Sequence, residues 1–199
     1  MKFRFPRAGA FAPAAILFVS LFGAGAPAAL AQDQAPLAYV AEEVVQPLPT
    51  DKTLESRVAE APSLQELVGD MPVAEELSAE MKCLAQAVYF EARGEPLAGQ
   101  LAVARVVINR ASSGLYPSNY CSVVTQRSQF SFVKGGRIPQ ANESSPAWLR
   151  AKAIAQIADQ DLWDCEAGDA LYFHASYVRP SWANRKTQVA RIDTHVFYR

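Results

Sequence analysis

The stretch Ala87-Val88-Tyr89-Phe90-Glu91-Ala92-Arg93-Gly94-Glu95-Pro96 closes one helix, opens another, and sets a carboxyl group where an apolar side chain belongs. Met81, Leu84, Val88 and Glu91 recur at helical spacing with Ala87 beside them, so Glu91 falls on the face that packs inward. Gly94 is the residue expected just past a helix end, and Pro96 reinforces the stop and suits the start of the next helix. Burying a carboxylate is costly, so an acid in this position holds its proton to higher pH. The negative end of the helix dipole acts in the same direction. A glutamic acid kept protonated near neutral pH is what general acid catalysis requires. Periodicity alone leaves a second reading open, a buried salt bridge to Arg93, Arg105 or Arg110.

Outward from this stretch the pattern is mainly helical. A second helix runs from about Leu97 to Arg110, and its segment Leu101-Ala102-Val103-Ala104-Arg105-Val106-Val107-Ile108 is apolar nearly all round, as a buried central helix would be. Ser118 to Gln126 reads as a short helix. Ser145-Pro146 starts another, with an apolar stripe at Leu149, Ala153 and Ile157 that ends near Leu162. Three strands are expected: the alternating Gln129-Phe130-Ser131-Phe132, then Ala170 to His174, then His195 to Tyr198. The class is therefore α+β, mainly helical with a small antiparallel sheet. Without βαβ alternation or a glycine-rich phosphate loop, a nucleotide enzyme is not expected.

The rest of the 199-residue chain is read as extensions to that one domain, over residues 76–199. Lys2, Arg4 and Arg7, an apolar stretch from Ala14 to Gly23, and Ala29-Leu30-Ala31 form the pattern of a signal peptide over residues 1–31. The apolar stretch falls short of the roughly twenty residues a membrane helix needs, so no membrane span is expected after cleavage. Residues 32–75 read as an acidic, proline-punctuated linker, with short helical pieces from Leu54 to Leu67 and no core-forming element. Residues 32–81 carry 11 acidic and 2 basic side chains, whereas residues 82–199 carry 14 basic and 9 acidic ones. A basic domain suits an anionic polymer, and export argues for a cell-wall polymer and against nucleic acid. Cys83, Cys121 and Cys165 suggest one disulfide and one leftover thiol in an oxidising compartment, with three pairings open.

The run Glu91-Ala92-Arg93-Gly94-Glu95-Pro96 and what surrounds it resemble the SleB/CwlJ-type cell wall hydrolases, a family that includes the spore cortex-lytic enzymes. The likeness continues through Gly99 to Ala104, Val107 to Arg110, Gln129 to Phe132, Tyr172 to Ala175, Val178 to Trp182 and His195 to Arg199. The resemblance implies a lysozyme-like fold related to lytic transglycosylases, with Glu91 as the catalytic acid. Relatives carry a cysteine on either side of Gln-Phe-Ser, where this chain has Ser128 and Lys134, so a local disulfide is absent.

Glycosidases ordinarily use two carboxyl groups. Glu95, between Gly94 and Pro96, is expected to turn away from the Glu91 face and hydrogen-bond backbone. A one-glutamate transglycosylation of the glycan strand avoids the shortage and needs neither metal nor cofactor. Gln129, Ser131, Tyr172 and His174 are candidate substrate-binding groups on the strand readings, and Trp182 a candidate for stacking on a sugar ring. Two rivals remain. A zinc amidase cutting the muramyl–alanine bond would have to draft Glu91 as a ligand beside His174 and His195. A non-catalytic peptidoglycan-binding module would not need the acidity of Glu91.

Overall fold

A computed structural model of the chain describes residues 53–199. The expected signal peptide and the first part of the expected linker lie outside the described residues. Six α-helices precede a three-stranded sheet: α1 Leu54–Glu60, α2 Leu64–Asp70, α3 Ala79–Ala92, α4 Leu97–Ser112, α5 Tyr120–Thr125 and α6 Pro146–Asp159. The strands are β1 Tyr172–Ala175, β2 Gln188–Ile192 and β3 His195–Tyr198, with a 3-10 turn at Ala183–Arg185 between the first two.

Helix starts follow local chemistry. Ser78, Asn119 and Ser145 each accept a hydrogen bond from a backbone N–H of the first turn, at 3.2, 2.8 and 3.2 Å, and Pro146 sits where its missing N–H costs nothing. The α3–α4 break falls at Arg93 to Pro96, where the sequence places it.

Helix α4 is apolar all round because it is covered on two sides. Leu101, Ala104 and Val107 join the core made with Leu84 and Val88 of α3 and Ile154 and Ile157 of α6. Ala102, Val103 and Val106 pack instead with Ile192 and Phe197 of the sheet. Truncating one of the fully buried side chains, such as Leu84→Ala, costs about 2–5 kcal/mol.

Several expectations need correction. Residues 129–132 form no strand; they run through turns, closed by Gln129 N–H to the Gln126 carbonyl and Val133 N–H to the Phe130 carbonyl. Among the described residues no neighbouring strand is there to pair with, and Phe130 and Phe132 are held by each other and by Phe90 and Phe173. The missing strand is β2, at the sheet edge in the antiparallel order β1-β3-β2. Leu149 is exposed, because α6 turns Trp148, Ala151, Ile154, Ala155 and Ala158 inward. The segment before residue 76 does contribute core: Leu67 of α2 is fully buried and Met71 nearly so. Of the three cysteine pairings, the structure holds Cys83–Cys121, which ties α3 to α5 with Cα atoms 5.1 Å apart, and leaves Cys165 free.

Candidate active site

Glu91 occupies the last turn of α3, and its side chain keeps 21% of its surface exposed. It is therefore mostly enclosed but still within reach of solvent. Burial raises its pKa above the ordinary carboxyl value, and the Arg110 guanidinium opposes part of that rise. The buried-salt-bridge alternative does not fit the arrangement. Arg105 pairs with Asp161, and Arg93 lies over the Tyr89 ring. Arg110 donates through Nε to the Leu171 carbonyl at 2.8 Å and packs its guanidinium over Tyr116. Arg110 stands near enough to influence Glu91, yet makes no ion pair with it.

Among the described residues the basic group within ion-pair distance of Glu91 is His195 of β3, whose Nε2 lies 4.0 Å from Oε1. The opposite ring nitrogen, Nδ1, faces Glu95 Oε1 at 3.5 Å. Glu95 is itself held by the β2–β3 turn, accepting hydrogen bonds from the Thr194 hydroxyl and backbone N–H. Glu95 therefore stays off the Glu91 cavity and accepts from backbone, as expected, but its backbone partner is in the β2–β3 turn and it reaches His195 from the far side. The tight fit of Gly99 explains its direction, since a Cβ there would come within 3.1 Å of the Glu95 side chain. Burial lowers the pKa of His195, and Glu95 pulls against that. On balance the site favours the neutral imidazole.

A cavity of about 420 Å³ opens over Glu91. Tyr172, His174, Trp182 and Gln129, four of the residues singled out by sequence, all line it. Ser131 does not: it lines a neighbouring cavity instead, because the turn at 129–132 breaks the every-second-residue relation that a strand would give. Tyr172 and His174 reach the cavity from β1. His174 Nδ1 faces the Ala175 carbonyl at 2.9 Å and Nε2 meets the Tyr198 hydroxyl at 3.0 Å, which fits a ring protonated on Nδ1. Trp182 packs against Tyr172, His174 and Tyr198 with ring centroids 5.5 to 5.7 Å apart. The Lys186 ammonium sits 3.8 Å above the Tyr172 ring centre and, by hydrogen bonding, draws the phenol below its ordinary pKa. The wall is thus a cluster of aromatic faces with polar tips.

Sequence reasoning missed Tyr116 and Lys186 as lining groups, and it placed Arg110 beside the acid only as a salt-bridge partner and His195 only as a zinc ligand. For Arg110 a signal existed, a cation closing an otherwise apolar helix. For His195 it was weaker, an imidazole in a strand whose other members are apolar or aromatic. Among the described residues no three His, Cys, Asp or Glu side chains gather as a metal-holding group.

Residues 94–198 match the family described as Cell Wall Hydrolase, a segment that begins just past Glu91. The chain is 35% identical over 119 residues to the spore cortex-lytic enzyme of Bacillus subtilis (strain 168), and 33% identical over 121 residues to that of Oceanobacillus iheyensis. These alignments cover 59% of this chain and 37% and 41% of those proteins, so the chain spans about two fifths of the curated relatives' length. Among solved structures, the catalytic domain of the Bacillus cereus SleB protein superposes with a TM-score of 0.53 at 30% identity, covering 64% of this chain and 95% of that one. The catalytic domain of the germination-specific lytic transglycosylase SleB from Bacillus anthracis gives 0.52 at 30% identity, covering 64% and 100%. With the mainly helical, three-stranded architecture and a family match over more than half its length, the chain belongs to the SleB/CwlJ-type cell wall hydrolases.

Proposed function

We propose that this protein is an exported enzyme that cleaves peptidoglycan glycan strands, as a lytic transglycosylase acting on the β-1,4 bond between N-acetylmuramic acid and N-acetylglucosamine. The observation that carries the reading is Glu91, the one carboxyl group lining its cavity among the described residues, with its proton affinity raised by burial. Protonated Glu91 gives its proton to the bridging oxygen as the C1–O bond breaks. The resulting carboxylate then takes the proton of the muramyl 6-hydroxyl, whose oxygen closes on C1. The products are a 1,6-anhydromuramyl end and a free 4-hydroxyl, and Glu91 is protonated again. The attacking group belongs to the substrate, which gives it a high effective concentration.

The other groups have supporting parts. Glu95 lies behind His195, outside the cavity lining, so a second carboxyl group to activate water or attack the sugar is not at hand. In this scheme the His195 proton sits on Nδ1, which faces Glu95 Oε1 at 3.5 Å, and the Nε2 lone pair is turned toward the Glu91 proton; His195 is a positioning residue. Gln129, Tyr172, His174 and Trp182 hold the sugars by stacking and by their polar tips.

Mass spectrometry of fragments released from purified sacculi tests the chemistry. Anhydromuramyl ends are expected. Reducing ends would replace the reading with simple hydrolysis. Release of muramyl-free peptides, abolished by a chelator, would replace it with an amidase. Unaltered binding and no soluble sugar fragments from wild type or Glu91→Gln would leave only a wall-binding module.

A further inference from the structure

A second cavity, of about 550 Å³, lies beside the first and shares Ser128 with it. Its charge is one-sided. Between Glu95 and Glu143 the sequence has no acidic residue, but it has Arg105, Arg110, Arg127, Lys134 and Arg137. Arg105 is paired with Asp161, and Arg110 belongs to the Glu91 cavity. The other three gather at the second cavity: Arg127 and Lys134 line it, and Arg137 stands opposite Lys134. None of the three side chains has an ion pair or hydrogen bond among the described residues.

The local backbone enforces this crowding. Lys134 and Arg137 exchange both backbone hydrogen bonds at 3.0 Å across a two-residue turn. Gly135 and Gly136 complete it at φ 58° and 73°, a conformation other residues adopt only with strain. Directly opposed residues in such a pair project to one face, with Cα atoms about 5.5 Å apart, and like charges there repel. An anion between them would turn that repulsion into attraction. Gln126 also lines this cavity, and its Oε1 lies just beneath the surface without a donor. A buried acceptor left unpaired costs about 1–3 kcal/mol. A simple anion would satisfy the cations alone; a ligand with both carboxylates and amide N–H groups also suits a wall that includes the Gln126 amide.

We propose that this cavity binds the acidic stem peptide that hangs from the lactyl group of muramic acid. The inference rests on the glycan-cleaving reading, in which a muramyl residue sits over Glu91 and delivers its peptide next door. A five-residue peptide reaches at most about 17 Å when extended, enough to enter an adjoining cavity.

Titration of the full chain, carrying Glu91→Gln, with a synthetic L-alanyl-γ-D-glutamyl-diaminopimelyl peptide tests this directly by NMR. Resonances of Gln126, Lys134 and Arg137 are expected to shift, binding to weaken at least about fivefold in the folded double variant Lys134→Gln/Arg137→Gln, and to weaken similarly when the peptide carboxylates are amidated. No binding at millimolar peptide, or equal binding of the amidated peptide, overturns the proposal. So does binding that survives the double substitution. Because the readout does not involve cleavage, absence of anhydromuramyl products would sink the catalytic reading and leave this result standing.

Discussion

Glu80 and Glu91 stand at opposite ends of α3, and the difference between them separates architecture from chemistry. Glu80, in the first turn, accepts backbone hydrogen bonds from Tyr120 at 2.5 Å and Cys121 at 3.3 Å. It thereby fixes the start of α5, beside the Cys83–Cys121 disulfide, and the helix dipole favours its charge. Glu91, about three turns further on, makes no hydrogen bond among the described residues and faces the unfavourable dipole end. One helix thus carries a carboxylate whose lone pairs are committed and another whose proton is free to move.

The same substitution at both ends gives the sharpest test. Glu91→Gln is expected to lower glycan cleavage by about 10²–10⁴-fold, the range for losing a general acid, with the fold intact. Glu80→Gln should leave a folded enzyme active and cost about 1 kcal/mol in denaturant unfolding, because the amide oxygen still accepts but without the charge that strengthens both bonds. Equal loss of activity at both sites, with both variants folded, would erase the distinction. The disulfide belongs to the committed end. It closes a loop of separation 38, and replacing both cysteines by serine should cost about 2–4 kcal/mol, read as a lower unfolding midpoint.

Legibility in the sequence follows the same division. Helices α3 and α4, their junction and Glu91 were readable because a 3.6-residue period and the Gly94–Pro96 stop are local signals. Tyr172, His174 and Trp182 came from the family likeness and the β1 pattern, and they do meet at the cavity. Strand β2 was hidden: it is an edge strand, its alternation is broken by an irregularity between Gln188 and Ala190, and of its residues only Ile192 is buried. Residues 129–132 alternate as a strand would, yet turns satisfy the same alternation when two phenylalanines share one cluster. Leu67 was masked by acidic, proline-rich surroundings, which report average composition and not the one side chain that reaches the core. His195 and Arg110 acquire meaning only through contacts distant in sequence.

A smaller effect is expected at His195, which joins Glu91 to Glu95. His195→Asn should reduce the cleavage rate about tenfold, an activation cost of about 1.4 kcal/mol. It should also move the alkaline limb of the pH profile to lower pH, since the Nε2 lone pair facing the Glu91 proton is removed. A purely structural role would lower the amount of folded enzyme and leave that limb in place.

The smallest effect has the most specific sign. A folded-state pKa above the unfolded one means that the native protein binds the Glu91 proton more tightly than the unfolded chain does. Its contribution to stability is complete below the ordinary carboxyl pKa and is lost as pH rises through the raised value. Glu91→Gln removes the group that suffers this loss. The variant should therefore melt a few degrees above wild type at pH 7 to 8, with the gap closing as the pH approaches 4. Glu80→Gln should melt below wild type at pH 7, because glutamine gives up a carboxylate that two backbone donors use. A Glu91→Gln protein that melts lower than wild type at neutral pH would mean that the Glu91 carboxylate is stabilised in the fold, and the division between the two ends of α3 would fail.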